Sequence, residues 1–123
     1  MVMTGQASYR LELFFTITFL GLDSESYDFP AILDTGFTGM LTIPPSLIQI
    51  LNPVEEDPVT ITLGDGTERL MPCFTVPLLW EGQRREVQAL EAEGLPLIGV
   101  RLLKGMVAVL HLSDGGDAML FRP

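Results

Sequence analysis

One segment of the chain runs Ala31-Ile32-Leu33-Asp34-Thr35-Gly36-Phe37-Thr38-Gly39. Its first three residues are apolar and typical of a buried β-strand, whereas the residues after Asp34 are mostly small and favour a tight turn. Asp34 is therefore expected at the mouth of a buried strand, partly removed from water. Because a carboxylate in such a place is costly unless it is paired, hydrogen-bonded or protonated, an acid here indicates a working site.

The two residues after Asp34 suit a site of this kind. The Thr35 hydroxyl can fasten the loop by a hydrogen bond, and the Gly36 N–H is approachable because no side chain stands in front of it. Asp close to Gly is also common in ordinary turns. The tripeptide therefore indicates a functional site only in combination with the segments around it and with a second element later in the chain.

Composition limits the kinds of protein that the chain can be. Its 123 residues suffice for one domain with a modest core and are too few for two lobes, so a single domain over residues 1 to 123 is predicted. Hydrophobic residues make up 47% of the chain and the mean hydropathy is +0.36, which indicates that a partner, such as a second copy, covers part of the surface. A net charge of -9 with only seven Lys and Arg argues against nucleic acid and favours a basic peptide segment.

Location is inferred from one cysteine and one apolar segment. Cys73 is the only cysteine, so no internal disulfide can form, and we expect a free buried thiol and a cytoplasmic protein. Residues 11 to 22 are apolar, but they are interrupted by polar residues, too short to cross a bilayer and not preceded by a basic segment. They are interpreted as a strand, with no membrane association and no export signal.

The first half of the chain is predicted to be a hairpin that leads into the Asp34 turn. Residues 11 to 20 alternate with period two, and residues 27 to 33 form the second arm. A short strand at 40 to 43, a helix of one or two turns at 46 to 51 and an acidic loop at 52 to 58 should follow.

The second half contains further hairpins. The clearest pairs residues 59 to 63 with 67 to 71 across Gly64-Asp65-Gly66, and its threonines make it unusually polar. The remaining predicted elements are strands at 74 to 80, 85 to 90, 95 to 99, 107 to 112 and 118 to 122, and a short helix at 100 to 104. The chain is therefore interpreted as an all-β barrel with one or two short helices.

These segments together resemble the retropepsin-like aspartic proteases of clan AA, especially the small single-domain bacterial type. The resemblance is carried by Leu33-Asp34-Thr35-Gly36 after two strands, a glycine-tipped hairpin at 63 to 67, and Leu97-Ile98-Gly99 followed by Val100-Arg101-Leu102-Leu103. Their order and spacing match over nearly the whole chain. The resemblance implies a retropepsin-like acid protease barrel with one lobe per chain.

It also implies roles for individual residues. Asp34 would be the catalytic acid, supported in its loop by Thr35 and Gly36. The later apolar-apolar-Gly element, Ile98-Gly99, would cross beneath that loop. The hairpin between them would be the flap that covers a peptide, with its tip formed by Leu63, Gly64, Asp65 and Gly66.

One Asp-Thr-Gly loop per chain points to a homodimer. Two adjacent carboxylates share one proton, because repulsion raises the pKa of one while the other stays ionised; together they activate water to hydrolyse a peptide bond. A two-fold axis would let Asp34 of each subunit take either role, without metal or cofactor. In viral relatives the termini interleave at the dimer interface. Residues 1 to 8 are expected to be too polar and loose for this, whereas residues 118 to 121 could contribute.

Two positions depart from the family pattern. Phe37 stands where many members have Ala or Ser and either fills the core or narrows the binding channel, while Arg101 lies one place later than the viral arginine. Besides an endopeptidase, two alternatives remain: an inactive dimerisation or peptide-binding module with the same fold, and a monomer whose Asp34 meets no second copy. The lone His111 is interpreted as structural, since it has no partners for a metal site.

Overall fold

Ten strands in one sheet and a single helix make up the computed structural model, which describes residues 1 to 123. The strands are β1 Val2–Ala7, β2 Leu13–Leu20, β3 Ser26–Leu33, β4 Leu41–Ile43, β5 Val54–Thr62, β6 Glu68–Trp80, β7 Gln83–Glu91, β8 Leu97–Ile98, β9 Val107–Leu110 and β10 Asp117–Phe121, and the helix is α1 Pro45–Leu51. The predicted all-β fold is confirmed.

The sheet closes on itself through β6. Its strand order is β5-β6-β7-β4-β8-β3-β2-β1-β10-β9, and β6 also pairs with β2. Strands β2, β3, β8, β4, β7 and β6 thus form a closed ring, the barrel expected from the sequence. Strand β5 extends from β6 on one side, and β1, β10 and β9 extend from β2 on the other.

The core follows from the alternation along β2. Leu13, Phe15, Ile17 and Phe19 face inward, and the ring of Phe19 meets Phe29 of β3 edge to face at 6.2 Å. Burying each such side chain contributes about 1.5 to 3 kcal/mol. Helix α1 buries Leu47 and Leu51 against the same core. None of the helical structure is long and apolar enough to cross a membrane.

Strand β8 lies between the two arms of the segment that contains Asp34. It runs parallel to β3, with Ile32 opposite Leu97 and Leu33 opposite Ile98, and it pairs with β4 through Leu41 and Ile98. Residues 34 to 40, here called the Asp34 loop, leave β3 and return as β4, so β8 fills the gap beneath them. Ile98, opposite both Leu33 and Leu41, thus lies beneath the loop.

Packing beneath the Asp34 loop leaves no room for a side chain at Gly99. A methyl group there would overlap the carbonyl oxygen of Gly39 and press into the ring of Phe37. The Phe37 ring also occupies the space where a side chain at Gly39 would lie. Phe37 thus fills space between two glycines, which explains why a bulky residue is tolerated directly after Asp-Thr-Gly.

Two predictions about the edges of the sheet are wrong. Residues 1 to 8 are not loose, because five of the six residues of β1 pair with β10, from Val2 opposite Phe121 to Gln6 opposite Asp117. Residues 52 to 58 are not simply a loop, because β5 begins at Val54. A register shift between Glu56 and Val59 accommodates Pro58 within that strand. In both cases cross-strand pairing overrides a polar or proline-containing sequence.

Two predictions near the end of the chain are also corrected. Of the strand expected at 95 to 99, only Leu97–Ile98 pairs. The helix expected at 100 to 104 is a series of tight turns, in which Leu102 and Leu103 donate to the carbonyls three residues earlier, Gly99 and Val100. The structure therefore has one helix rather than two. The hairpins formed by β2 with β3, β5 with β6 and β6 with β7 are confirmed.

Replacing Gly99 by Ala should destabilise the protein by about 1 to 3 kcal/mol, because the added methyl group meets backbone that cannot move aside easily. Urea unfolding measures the difference. The matched control is Gly64→Ala, where no atom lies within 4 Å of the added group; its effect should stay within about 0.5 kcal/mol. Equal stability losses in the two variants would contradict the packing described here.

Candidate functional site

Asp34 directly follows β3, where the chain leaves the barrel. Its side chain is half-buried, and its Oδ1 accepts a hydrogen bond of 2.9 Å from the Gly36 N–H. Its backbone carbonyl accepts from the Phe37 N–H at 3.1 Å. These two bonds close a tight turn within the loop, as the small residues after Asp34 predicted. The carboxylate is thereby held in a fixed orientation while remaining accessible.

A second segment fastens the loop from beneath. Four backbone hydrogen bonds join residues 98 to 101, here called the supporting segment, to the Asp34 loop. They run from Asp34 N to Ile98 O (2.9 Å), Gly99 N to Met40 O (2.9 Å), Val100 N to Phe37 O (3.0 Å) and Arg101 N to Gly39 O (3.2 Å). Because both ends and the middle of the loop are bound, its shape is set by backbone groups.

A cavity of about 260 Å³ opens beside the loop. It brings together the Asp34 loop, the C-terminal half of β5, two residues of β7 and the supporting segment. Its lining residues are Phe37, Thr38, Gly39, Val59, Thr60, Ile61, Gln88, Leu90 and Arg101. Its walls combine apolar side chains with a few hydrogen-bonding groups, as the walls of ligand-binding cavities commonly do.

Arg101 is the charged residue of this cavity. The structure contains two ion pairs, Arg84 with Glu86 and Arg122 with Glu81, and Arg101 takes part in neither. Its side chain is exposed, and the other residues around the cavity are uncharged. In a chain whose net charge is -9, the cavity is thus a local exception with positive character.

The tip of the β5–β6 hairpin is an ordered turn. Leu63 N–H donates to the Thr67 carbonyl at 2.8 Å and Gly66 N–H to the Leu63 carbonyl at 2.9 Å. The Thr67 hydroxyl and N–H both donate to Asp65 Oδ1, at 2.6 and 3.0 Å. These bonds lower the pKa of Asp65, with the hydroxyl as the larger cause. Asp65 is thereby part of the turn itself.

Among solved structures, the chain is similar to a retropepsin-like aspartic protease from Rickettsia conorii. The TM-score is 0.61 at 10% sequence identity, and the superposition covers 98% of this chain and 89% of that one. The fold is retropepsin-like. No protein-family model matches the chain, and no curated protein matches it by sequence. The similarity thus extends over nearly the whole of both chains in three dimensions while almost vanishing in sequence.

Within this retropepsin-like fold, some of the residues singled out from the sequence lie together. Asp34, Thr35 and Gly36 form one turn, and Ile98 and Gly99 lie directly beneath it. The four tip residues, Leu63, Gly64, Asp65 and Gly66, are exposed and do not line the cavity beside the loop. The hairpin instead contributes Val59, Thr60 and Ile61 to that cavity.

Most of the residues that line the cavity were not predicted from the sequence. Gln88 and Leu90 reach it because β7 runs parallel to β4, with Leu41 opposite Ala89 and Thr42 opposite Leu90. Nothing in the local sequence of β7 indicates this pairing. Gln88 is exposed between two buried residues, as expected of a strand, whereas Leu90 is itself buried. Neither residue's sequence context indicates that it lines this cavity.

Other titratable residues lie apart from this region. Cys73 is a free thiol in the core, and burial raises its pKa, so the thiol is protonated at neutral pH. The described residues contain no group of three or more His, Cys, Asp or Glu that could hold a metal ion. His111 is exposed, 3.3 Å from the hydroxyl of Ser113, and not in an apolar core.

Replacing Thr67 by Val should raise the pKa of Asp65 toward its ordinary value, because the hydroxyl donor is lost while the N–H donor remains. An NMR titration of the carboxyl carbon measures this shift. Since the pKa is lowered in the folded turn, the stabilisation by the ionised carboxylate exists above the ordinary pKa and disappears as the pH falls through the lowered one. Thr62→Val, on the exposed side of β5, is the control; an identical titration in both variants would refute the assignment.

Proposed function

We propose that the protein is an aspartic endopeptidase that is active as a homodimer. The observation that supports this most directly is the half-buried Asp34 in a turn fastened by four backbone hydrogen bonds, within a retropepsin-like fold. A carboxylate held in one orientation and open to solvent can act on a water molecule without first being ordered. Each chain supplies one such acid.

Of the two copies of Asp34, one would act as general base and the other as general acid. The ionised carboxylate takes a proton from water, whose oxygen attacks the carbonyl carbon of the peptide bond. The neutral carboxyl donates its proton to the carbonyl oxygen, giving a tetrahedral intermediate. As the carbonyl re-forms and the C–N bond breaks, one hydroxyl of the intermediate returns its proton to the carboxylate that is now ionised, and the other, now neutral, carboxyl gives its proton to the leaving nitrogen. The proton count is then restored for the next cycle.

The exposed Thr35 and Gly36 suit the positions around such a pair. Thr35 has a free hydroxyl that can hydrogen-bond across the two-fold axis to the partner loop. The Gly36 N–H orients Asp34 by a hydrogen bond. Because Gly36 has no side chain, its Cα leaves space for the substrate backbone. We assign both residues to holding the two acids in place rather than to proton transfer.

A substrate would lie in extended form between the Asp34 loop and the β5–β6 hairpin. Strand β5 is exposed along most of its length, and its residues 59 to 61 face the loop across the cavity. An extended peptide can bind there by main-chain hydrogen bonds, with alternate side chains entering cavities. The hairpin tip at residues 63 to 66 would close over it.

The buried thiol supports a reducing location. Cys73 is free and enclosed by the core, and an internal disulfide is impossible with one cysteine. A protein without disulfide stabilisation is suited to a reducing compartment, and we place it in the cytoplasm.

Asp34→Asn tests the proposal. Because Asn keeps an oxygen that can accept from the Gly36 N–H, the fold and the dimer should persist, whereas kcat/KM for peptide cleavage should fall by about 10²- to 10⁴-fold or more. Cleavage of an unstructured peptide library at about pH 4 to 6 provides the assay, because paired carboxylates work in mild acid. Glu12→Gln makes the same chemical change at an exposed loop position and should retain activity.

Full activity of the Asp34→Asn protein would refute the assignment of the catalytic acid. A wild-type protein that binds peptides or a statine-type inhibitor but never cleaves would instead be a peptide-binding module. The pH profile adds an independent check, since a shared proton gives a bell-shaped dependence with two apparent pKa values.

Arg101 should favour acidic substrate side chains in the cavity that it lines. The ratio of kcat/KM between two peptides that differ only by Glu or Gln at the occupying residue measures this preference. In Arg101→Gln the ratio should fall about two- to fivefold, the range for a solvent-exposed ion pair. Arg10→Gln makes the same substitution at an exposed position outside the cavity and should leave the ratio unchanged; equal effects would attribute the preference to net charge alone.

A further inference from the structure

The sheet has two free edges, and they differ in sequence. Its outermost strands are β5 and β9. An unpaired edge exposes backbone N–H and C=O groups that can pair with another chain, so proteins protect such edges with charges, proline or bulges. The two edges of this sheet can therefore be compared directly.

Strand β5 is protected in all three ways. It carries Glu55, Glu56 and Asp57 followed by Pro58, and the ladder shifts register between Glu56 and Val59. Three adjacent acids would repel the same strand of a second copy, and proline provides no donor. This edge is closed to association with another copy of the chain.

Strand β9 has none of these features. It reads Val107-Ala108-Val109-Leu110, without charge, proline or bulge, and its pairing with β10 is regular. Val107 and Val109 are 38% and 46% exposed. An exposed edge strand that is apolar and uncharged is typical of a site that a partner covers.

The backbone groups that β9 leaves free can be identified. His111 N–H donates to Asp117 O, so these two residues face each other at a hydrogen-bonded position that continues the ladder between β9 and β10. In an antiparallel ladder such pairs alternate along the strand, which makes Val109 with Met119 and Val107 with Phe121 the next ones. The N–H and C=O groups of Ala108 and Leu110 therefore point away from β10, toward the open edge.

The terminal strands are not free to serve this purpose. Strand β1 and strand β10 pair with each other within one chain, along five residue pairs. An exchange of termini between subunits would have to break this ladder. The outer edge of β9 is then the only unpaired edge on this side of the sheet. In the chain, β9 follows the supporting segment after one stretch of turns.

We infer that β9 pairs antiparallel with β9 of a second copy about a two-fold axis, giving a continuous sheet in the order β1-β10-β9-β9-β10-β1. The inference rests on the proposed function, because the dimer that it builds is the one that supplies the second Asp34. Two identical antiparallel strands satisfy each other's free groups, as isologous contacts require.

Charge supports a second copy as the occupant. The charged residues that flank β9 in sequence are Lys104 before it and Asp114 after it. Antiparallel pairing sets the basic end of one strand toward the acidic end of the other. Because the strand between them is uncharged, two chains of net charge -9 can meet there without bringing acids together.

Hydrogen exchange on the wild-type protein tests the pairing directly. Raising the concentration through the dimerisation range, followed by sedimentation, should slow exchange of the Ala108 and Leu110 amides at least about tenfold. Exposed amides on the outer side of β5 provide the internal control and should not change. A dimer without added protection at Ala108 and Leu110 would overturn the inference while leaving Asp34 catalysis open.

Two matched variants separate edge pairing from packing of the sheet face. Val109→Lys adds a charge beside the axis and should weaken the dimer at least about tenfold, as measured by sedimentation. Thr4→Lys lies on the same outward row, two strands away, through Thr4 opposite Met119 and Met119 opposite Val109; it should leave the dimer intact. Equal weakening by both would indicate face packing, and a wild-type chain that stays monomeric would overturn both this interface and the dimeric mechanism.

Discussion

The backbone hydrogen bonds between the supporting segment and the Asp34 loop are the constraint on which the rest of the site depends. They join residues 98 to 101 to both ends and the middle of the loop, and they need no particular side chain. The exception is position 99, which must be glycine because the carbonyl of Gly39 lies too close for a methyl group. A site built from main-chain bonds tolerates wide sequence change, which accounts for a shared fold at 10% identity.

Local sequence predicts parts of this arrangement. Period-two alternation in β2, glycines around a hairpin tip and small residues after Asp34 each reflect a short-range physical preference, so β2, β3, the β5–β6 hairpin and the Asp34 turn were predictable. The helix α1 was equally accessible, because Pro45 begins it and Leu47 and Leu51 share its buried face. Short-range signals also place Leu97, Ile98 and Gly99 in order, although they do not show how these residues pair.

The parts that could not be predicted depend on pairing between distant segments. Strand β1 is polar and becomes ordered only because β10 returns beside it more than a hundred residues later. Strand β8 has two paired residues, too few for a periodic signal, and it lies between β3 and β4 as a consequence of the ring closing. The cavity beside the loop likewise combines residues from four parts of the chain. Its positive character is invisible in a composition dominated by acids.

The register shift in β5 has a mechanical consequence. Glu56 lies opposite Cys73 and Val59 opposite Met71, so Asp57 and Pro58 face Pro72 at one level of the ladder, where both prolines lack a donor. Pairing of β6 with β7 also begins at Cys73. Beyond that level the hairpin has only its own two strands. It joins the barrel at its base, next to the level at which both prolines lack a backbone donor. The flap closure that the proposed function requires would therefore bend the chain at this level and leave the hydrogen bonds of the barrel intact.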